Sequence, residues 1–358
     1  MNKLTLLIDG GWVTMRFFSV LNKKFDKNLP QYAREAAADE LSTMIARSIS
    51  NILNKFPVID NIILTTEGGS WRKQLPIPSS LDGESYKSNR KHAVEMDWPL
   101  IYGAFDKVAN TLAEKGATVS KAGNIEGDDW MWYWSRRLNS QGVNCLIWSS
   151  DADLKQLINF DKNGCWTAWY NDKVGLVLPR SAQLKPQSDI DFFMNPTIIS
   201  SSLEMLKQRV SSVEYIEPDN IVLGKIIRGD MSDNIKSVVR YMKNGRQYRF
   251  SSKDWADLEK ALNISNINDL VEKQDQIAEN ISNNKKYNAT KEEVLEMLEY
   301  NTKLVWLHES QIPESIVQSM VQCEYKLFDI AEIKRNYNSI LPENQDIKSL
   351  FEDEDVPF

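Results

Sequence analysis

The sequence predicts an α/β fold: a mostly parallel central sheet with flanking helices and an arch, followed by a smaller helical domain. Three observations carry this. Short apolar runs alternate with helix-period segments up to about residue 190, the pattern of a parallel sheet. Several of those runs are followed by an acidic residue. From about residue 200 the chain becomes mainly helical in pattern.

The strand-like runs are Leu4–Ile8, Asn61–Thr66, Ala117–Lys121 and Asn144–Ser149. Between them, 33–56 places Leu41, Ile45, Ile49, Ile52 and Phe56 near helical spacing, and 100–115 and 127–138 read the same way. Residues 166–170 and 173–178 form a hairpin pattern around Asn171-Asp172. The stretch 74–97 holds Pro76, Pro78, Gly83 and a basic run, and is predicted to leave the sheet as an arch. Helices are expected at 220–228, 291–307, 314–322 and 330–336. Residues 263–287, rich in Asn, Gln and Lys, are expected to be mobile. The resulting division is a nuclease-type domain over 1–200, a helical domain over 201–340 and an acidic tail over 341–358.

At 358 residues the chain is long enough for two domains, and no apolar run approaches a membrane span. The start, MNKLTLLIDG, reads as a first strand rather than a signal peptide. Three scattered cysteines fit a reducing cytoplasm, and only His92 and His308 are available as imidazole ligands, so a structural zinc site is not expected. The net charge of −7 looks wrong for a nucleic-acid binder. Bound divalent cations, and a separate tail carrying EDED at 352–355, would bring the folded body close to neutrality, so local basic stretches matter more.

The chemistry is expected from an ordered series of carboxylates: Asp9 after LTLLI, Glu67 after IILTT, Glu126, Asp128 and Asp129 in IEGDD, Asp151 and Asp153 after NCLIWSS, and Asp230 and Asp233 in RGDMSDN. Carboxyl ends of parallel strands share one edge, so these acids would converge. Together they would need cations, and oxygen-only ligands suit Mg²⁺, with Mn²⁺ able to substitute. Each piece alone has a plainer reading. Asp128 and Asp129 suit a helix N-terminus, Asp9 a turn, and Glu67 a loop.

Cations interleaved with aromatics point to phosphates and bases: Trp71, Arg72 and Lys73, then Tyr86, Lys87, Arg90 and Lys91. Lys236, Arg240, Lys243, Arg246, Arg249 and Lys253 follow with no acid among them. The tryptophans at 130, 132 and 134 cannot share one helical face, so at least one is expected to be partly exposed or at a domain interface.

In order, LLIDG, SWRK…YKSNR, IEGDD, WSSDADLKQL and GDMSDNI resemble the 5′-nuclease superfamily, which includes the flap endonucleases, over residues 4 to about 238. YKSNRK, MDWPLIYGAFDKV and NTKLVWLHESQIPESIV look closest to its T-even bacteriophage ribonuclease H branch, whose members are 5′-to-3′ exonucleases. The resemblance implies a PIN-like fold and a monomeric nuclease acting on DNA and RNA–DNA hybrids with two Mg²⁺ ions, in the cytoplasm of the host if phage-encoded. It implies a first metal site of Asp9, Glu67, Asp128 and Asp151 with Glu126 beside it. A second site would use Asp153, Asp230 and Asp233, with Asp151 near both and Asp129 an additional candidate. Lys87 and Arg90 would meet the scissile phosphate at the base of the arch, and Arg72 would hold substrate.

Two departures stand out. Glu67 occupies a position where the family usually has Asp. The glycine-rich duplex-binding hairpin after GDxSDN is replaced by IKSVVRYMKNGRQYRF, so the basic series from Lys236 becomes the candidate for duplex contact. An aspartyl phosphatase would want a second Asp two residues after Asp9, and Gly11 stands there. A catalytically silent DNA-structure-binding accessory protein is the alternative from another class. In the tail, IKSLF (Ile347, Leu350, Phe351) resembles sliding-clamp docking peptides. EDEDVPF, ending in Phe358, resembles the acidic tip of single-stranded-DNA-binding proteins.

Overall fold

The structure is a computed structural model and describes residues 3–81, 83–89, 95–161, 164–183, 201–243 and 246–341. Strand β1 (Leu4–Asp9) is buried on both faces, which explains why it is mostly apolar rather than alternating. It pairs in parallel with β2 (Asn61–Thr65) on one side and with β4 (Asn144–Trp148) on the other, and β3 (Thr118–Ser120) extends the sheet beyond β2. Beyond β4 come β6 (Trp166–Asn171), β7 (Gly175–Pro179) and β8 (Val213–Ile216), with the short β5 (Asn159–Phe160) also paired to β6. Among the described strands of this sheet, the β5–β6 and β6–β7 pairings are antiparallel and the rest parallel, the β6–β7 pair being the expected hairpin. Strand β1 lies where the strand order reverses, and a ligand crevice belongs at the carboxyl edge there.

Helix α1 (Gly10–Leu21) follows β1 directly and is not foreseen in the sequence. Asp9 caps it, accepting from the Trp12 amide at 2.9 Å. Gly10 is required by close packing: a Cβ there would lie 2.4 Å from Phe105 and 2.5 Å from the Thr65 carbonyl oxygen. Helix α2 (Gln31–Lys55) buries the predicted stripe of Leu41, Ile45, Ile49 and Ile52, and packs on α3 (Trp98–Glu114). Helix α4 (Gly127–Ser140) covers the other face of the sheet.

The hydrophobic cores do not follow a cut at residue 200. Strand β8 belongs to the main sheet, and the chain after 306 returns to it. Leu307, Ile312 and Met320 join the core around α4, while Ile330, Ile333, Ile340 and Leu341 join the core around α2. That return corrects the expectation for the tryptophans. Trp130, Trp132 and Trp134 are all buried, because α4 is enclosed by the sheet on one side and the returning segment on the other.

A third core belongs to the helices 219–228, 252–262, 267–272, 274–282 and 291–305, and it takes in Leu81 and Tyr86 from the ascending limb of the arch region. Residues 263–287 are therefore not the mobile stretch expected. They carry two short helices that bury Ile267, Leu270, Ile277, Ala278 and Ile281. Among the described residues no helix is long and apolar enough to cross a membrane.

Candidate active site

The carboxyl edge at β1 and β4 holds the first group of acids. Asp9 ends β1 and Ser149 follows β4, and the Ser149 hydroxyl donates to Asp9 Oδ2 at 2.6 Å across the crevice. Ser149 also accepts from the Asp151 amide at 2.9 Å, which fixes the DAD turn. On the other side of Asp9, Glu67 follows β2 and accepts from the Gly127 amide at 3.2 Å. The point where a Cβ on Gly11 would stand is 3.5 Å from a carboxylate oxygen of each of Asp9 and Glu67, so a side chain there would enter the acidic cleft. Asp128, in the first turn of α4, shares this cleft and feels the charges of Asp151, Glu67 and Asp9.

Glu126 and Asp129 form a capping box at the start of α4, which is the plainer role read from the sequence. Asp129 is fully buried and takes two guanidinium bonds from Arg72, at 2.7 and 3.0 Å, plus one from the Trp71 indole at 3.0 Å. Its oxygens face this buried knot, not the cleft. Arg72 is only 2% exposed, and it also bonds Glu126 at 2.7 Å and the Leu304 carbonyl at 3.1 Å. The expectation that Arg72 contacts nucleic acid is thus corrected. It ties the sheet, α4 and the helix 291–305 together from inside, and its charge is spent on two buried carboxylates.

Lys87 enters the cleft from the arch side. Its ammonium donates to Glu126 Oε1 at 2.6 Å and lies 4.7 Å over the Tyr86 ring. Its backbone has φ of 56°, an uncommon value for a lysine that costs on the order of 1 kcal/mol, and its amide is held by the Asp233 carbonyl at 2.8 Å. The YKSN and GDMSDN segments interlock further. Asn234 donates to the Ser85 carbonyl at 2.9 Å and to the Ser88 hydroxyl at 2.8 Å, and Asn89 donates to the Met231 carbonyl at 3.0 Å. Tyr86 is buried in the helical core, so it cannot stack on a base as expected; its ring instead backs Lys87.

The second group of acids gathers around a residue that sequence reading missed. Lys225, in the helix 219–228, bonds the carboxylates of both Asp153 and Asp230. Asp230 also accepts from the Ser232 amide at 2.8 Å and hydroxyl at 2.6 Å. Asp153, starting a short 3-10 turn, donates its amide to Asp151 Oδ1 at 2.8 Å, which links the two groups. The Asp233 carboxylate accepts weakly from the Tyr86 hydroxyl at 3.4 Å.

No protein-family model matches the chain, and no curated protein matches it in sequence. Solved structures do match. The T5 D15 protein, co-crystallised with metal ions, aligns with a TM-score of 0.52 at 14% identity, over 95% of this chain and 100% of that one. The T5 5′-exonuclease with bound divalent zinc aligns with a TM-score of 0.50 at 14% identity, over 89% of this chain and 97% of that one. The fold is that of a 5′ nuclease.

Within this 5′-nuclease fold the cleft is electrostatically overloaded. Burial pushes Asp9 up from 3.8 to about 6, with the Asp151 charge adding to it. Glu67 keeps an exposed edge, yet crowding by protein around its carboxylate, and then the Glu126 charge, push it up to about 7. Asp128 is raised well above its ordinary value by burial and Asp151. Asp153 is raised to about 6 by burial and Asp151, against the pull of Lys225. Burial works to raise Asp230 too, but the bonds from Lys225 and Ser232 outweigh it and hold it low. An all-oxygen donor set under this repulsion fits a hard divalent cation. Among the described residues no three acidic, His or Cys side chains already converge tightly enough to grip one ion. The nearest partners of Glu126, Asp153 and Asp230 are lysines.

A pH dependence follows. Asp9, Glu67 and Asp153 have folded values above their unfolded ones, so the unfolded chain loses these protons first. Their contribution is intact below about pH 4 and is lost as pH rises through about 6 to 7. In melting experiments on metal-free protein, Tm should therefore fall between about pH 5 and pH 8. Mg²⁺ should raise Tm at the higher pH by at least about 3 °C more than at the lower. A Mg²⁺ effect equal at both pH values would contradict this electrostatic picture.

Arg90 and Lys91, and the tail residues Ile347, Leu350, Phe351 and Phe358, lie outside the described residues. Lys73 is exposed. The basic series is more varied than expected. Residues Arg240–Lys243 and Arg246–Arg249 form a two-stranded antiparallel ribbon, with Arg249 opposite Arg240. Lys236 pairs with Glu84, and Arg240 donates to the Ser80 carbonyl at 2.8 Å, so these two hold the arch limb. Arg249 and Lys253 are exposed.

Proposed function

We propose that the chain is a divalent-metal-dependent 5′ nuclease that hydrolyses phosphodiesters at or near the 5′ end of one strand in duplex, flap or RNA–DNA hybrid substrates. The observation that carries this reading is the acidic cleft at the β1–β4 switch point, entered by a lysine and set in a 5′-nuclease fold. Asp9, Glu67, Asp128 and Asp151, with Glu126 beside them, would hold one Mg²⁺; Asp153, Asp230 and Asp233 would hold a second, with Asp151 near both, and Mn²⁺ would substitute. Held there, two such ions would lower the pKa of a bound water and offset negative charge as it develops on the phosphate. Lys87 would exchange Glu126 for the scissile phosphate and, together with Arg90, stabilise charge as it builds. The sheet with the helices packed on it, including β8 and the returning segment after 306, would form the catalytic unit, and the helical core of 219–305 the duplex-binding unit. RNA-primer removal in phage DNA replication, as a monomer in the host cytoplasm, is the biological role that suits this chemistry. The tail would dock a sliding clamp or a single-stranded-DNA-binding protein.

The test is cleavage of a 5′-labelled flap and an RNA–DNA hybrid with Mg²⁺ and with EDTA. Short 5′ products that vanish with EDTA support the reading. Tight binding without cleavage would favour the silent accessory protein instead.

The ribbon is the proposed replacement for the glycine-rich duplex-binding hairpin. Replacing Arg249 and Lys253 with Gln should weaken duplex binding and reduce the slope of log K against log salt by roughly 1–2. An unchanged slope would mean that the ribbon and the start of the helix after it face away from the duplex.

A further inference from the structure

Lys225 lies among the acids of the second metal position without being one of its ligands. It projects from the helix 219–228, and its ammonium bonds Asp153 on the turn after β4 and Asp230 in the loop that follows its own helix. It therefore also joins the sheet to the helical core. We propose that Lys225 is an internal counter-cation: it holds the second metal position in the metal-free protein and must leave before a divalent ion can occupy it. This rests on the nuclease reading above.

The physical argument is one of exclusion. An ammonium nitrogen sits about 2.8 Å from a carboxylate oxygen, whereas Mg²⁺ draws its oxygens to about 2.0–2.1 Å. While the ammonium lies between Asp153 Oδ1 and Asp230 Oδ2, a divalent ion cannot take the place between those two oxygens. Removing one partner from a largely buried ion pair leaves an uncompensated charge, which is costly. Lys225 thus stabilises the resting arrangement and weakens the second ion by the same interaction. A lysine suits this role because its ammonium is a point charge on a flexible stem, and here it is 24% exposed, which leaves a route out. The first group of acids has a different arrangement: Lys87 bonds Glu126, at the edge of that group, and not two central acids.

The test is Mn²⁺ binding without DNA, following free Mn²⁺ by EPR, in the full chain and in Lys225→Met and Lys225→Arg. In Lys225→Met the weaker Mn²⁺ should tighten by about tenfold or more, while Lys225→Arg should stay near wild type. Metal-free Lys225→Met should melt below wild type, and Mn²⁺ should close that gap. A weaker site that is unchanged or further weakened in folded Lys225→Met overturns the inference. Should that variant not fold without metal, Lys225→Gln carries the same comparison. If wild type binds Mn²⁺ but the variants bind it identically, only the Lys225 inference falls. If wild type binds no Mn²⁺, the nuclease reading falls with it.

Discussion

Lys87→Ala should slow cleavage at saturating substrate by about 100- to 1,000-fold while changing substrate affinity far less. The ammonium is already desolvated and surrounded by acids that would hold the metals, bonding Glu126 and feeling Asp128 and Asp233. Those charges keep Lys87 protonated throughout the working pH range. Its backbone is fixed by the Asp233 carbonyl and its ring neighbour is buried, so the ammonium is held at the cleft. A contact made fully only as charge builds on the phosphate lowers kcat when removed. Single-turnover kinetics with a separate binding titration checks this. A loss confined to binding would make Lys87 a simple backbone contact.

Much of the site was legible because strands that end in acids are visible one at a time. Leu4–Asp9, Asn61–Thr65 and Asn144–Trp148 are each mostly apolar runs followed closely by acids, and topology brings their ends together. Helix α1 was hidden by Gly10-Gly11, which reads as a loop until the contact with Phe105 shows why glycine is needed. The roles of Arg72 and Tyr86 were misread because charge and aromaticity do not reveal burial. Arg72 spends its charge on Glu126 and Asp129, and Tyr86 joins a core made of helices more than a hundred residues away. The ribbon's strands do carry a signal in the sequence, since Asn244-Gly245 is a two-residue hairpin signature set among basic residues. Lys225 had none: its pairing with Asp153 is purely tertiary.

Asp151→Asn should produce the largest loss of all. Its side chain accepts from the Asp153 amide, and its charge is felt by Asp9 and Asp128 in one group and Asp153 in the other. It is also exposed, so the substitution removes a charge without opening a core. If Asp151 is shared between two metal positions, losing its charge removes several kcal/mol of stabilisation, and every 1.4 kcal/mol is about tenfold in rate. The deciding measurement is the Mg²⁺-dependent cleavage rate of a 5′-labelled flap by wild type and Asp151→Asn side by side, with Tm values confirming that both are folded. The metal-nuclease account predicts EDTA-sensitive cleavage by wild type and a loss of at least about a thousandfold in the variant. Cleavage by Asp151→Asn at the wild-type rate would contradict it.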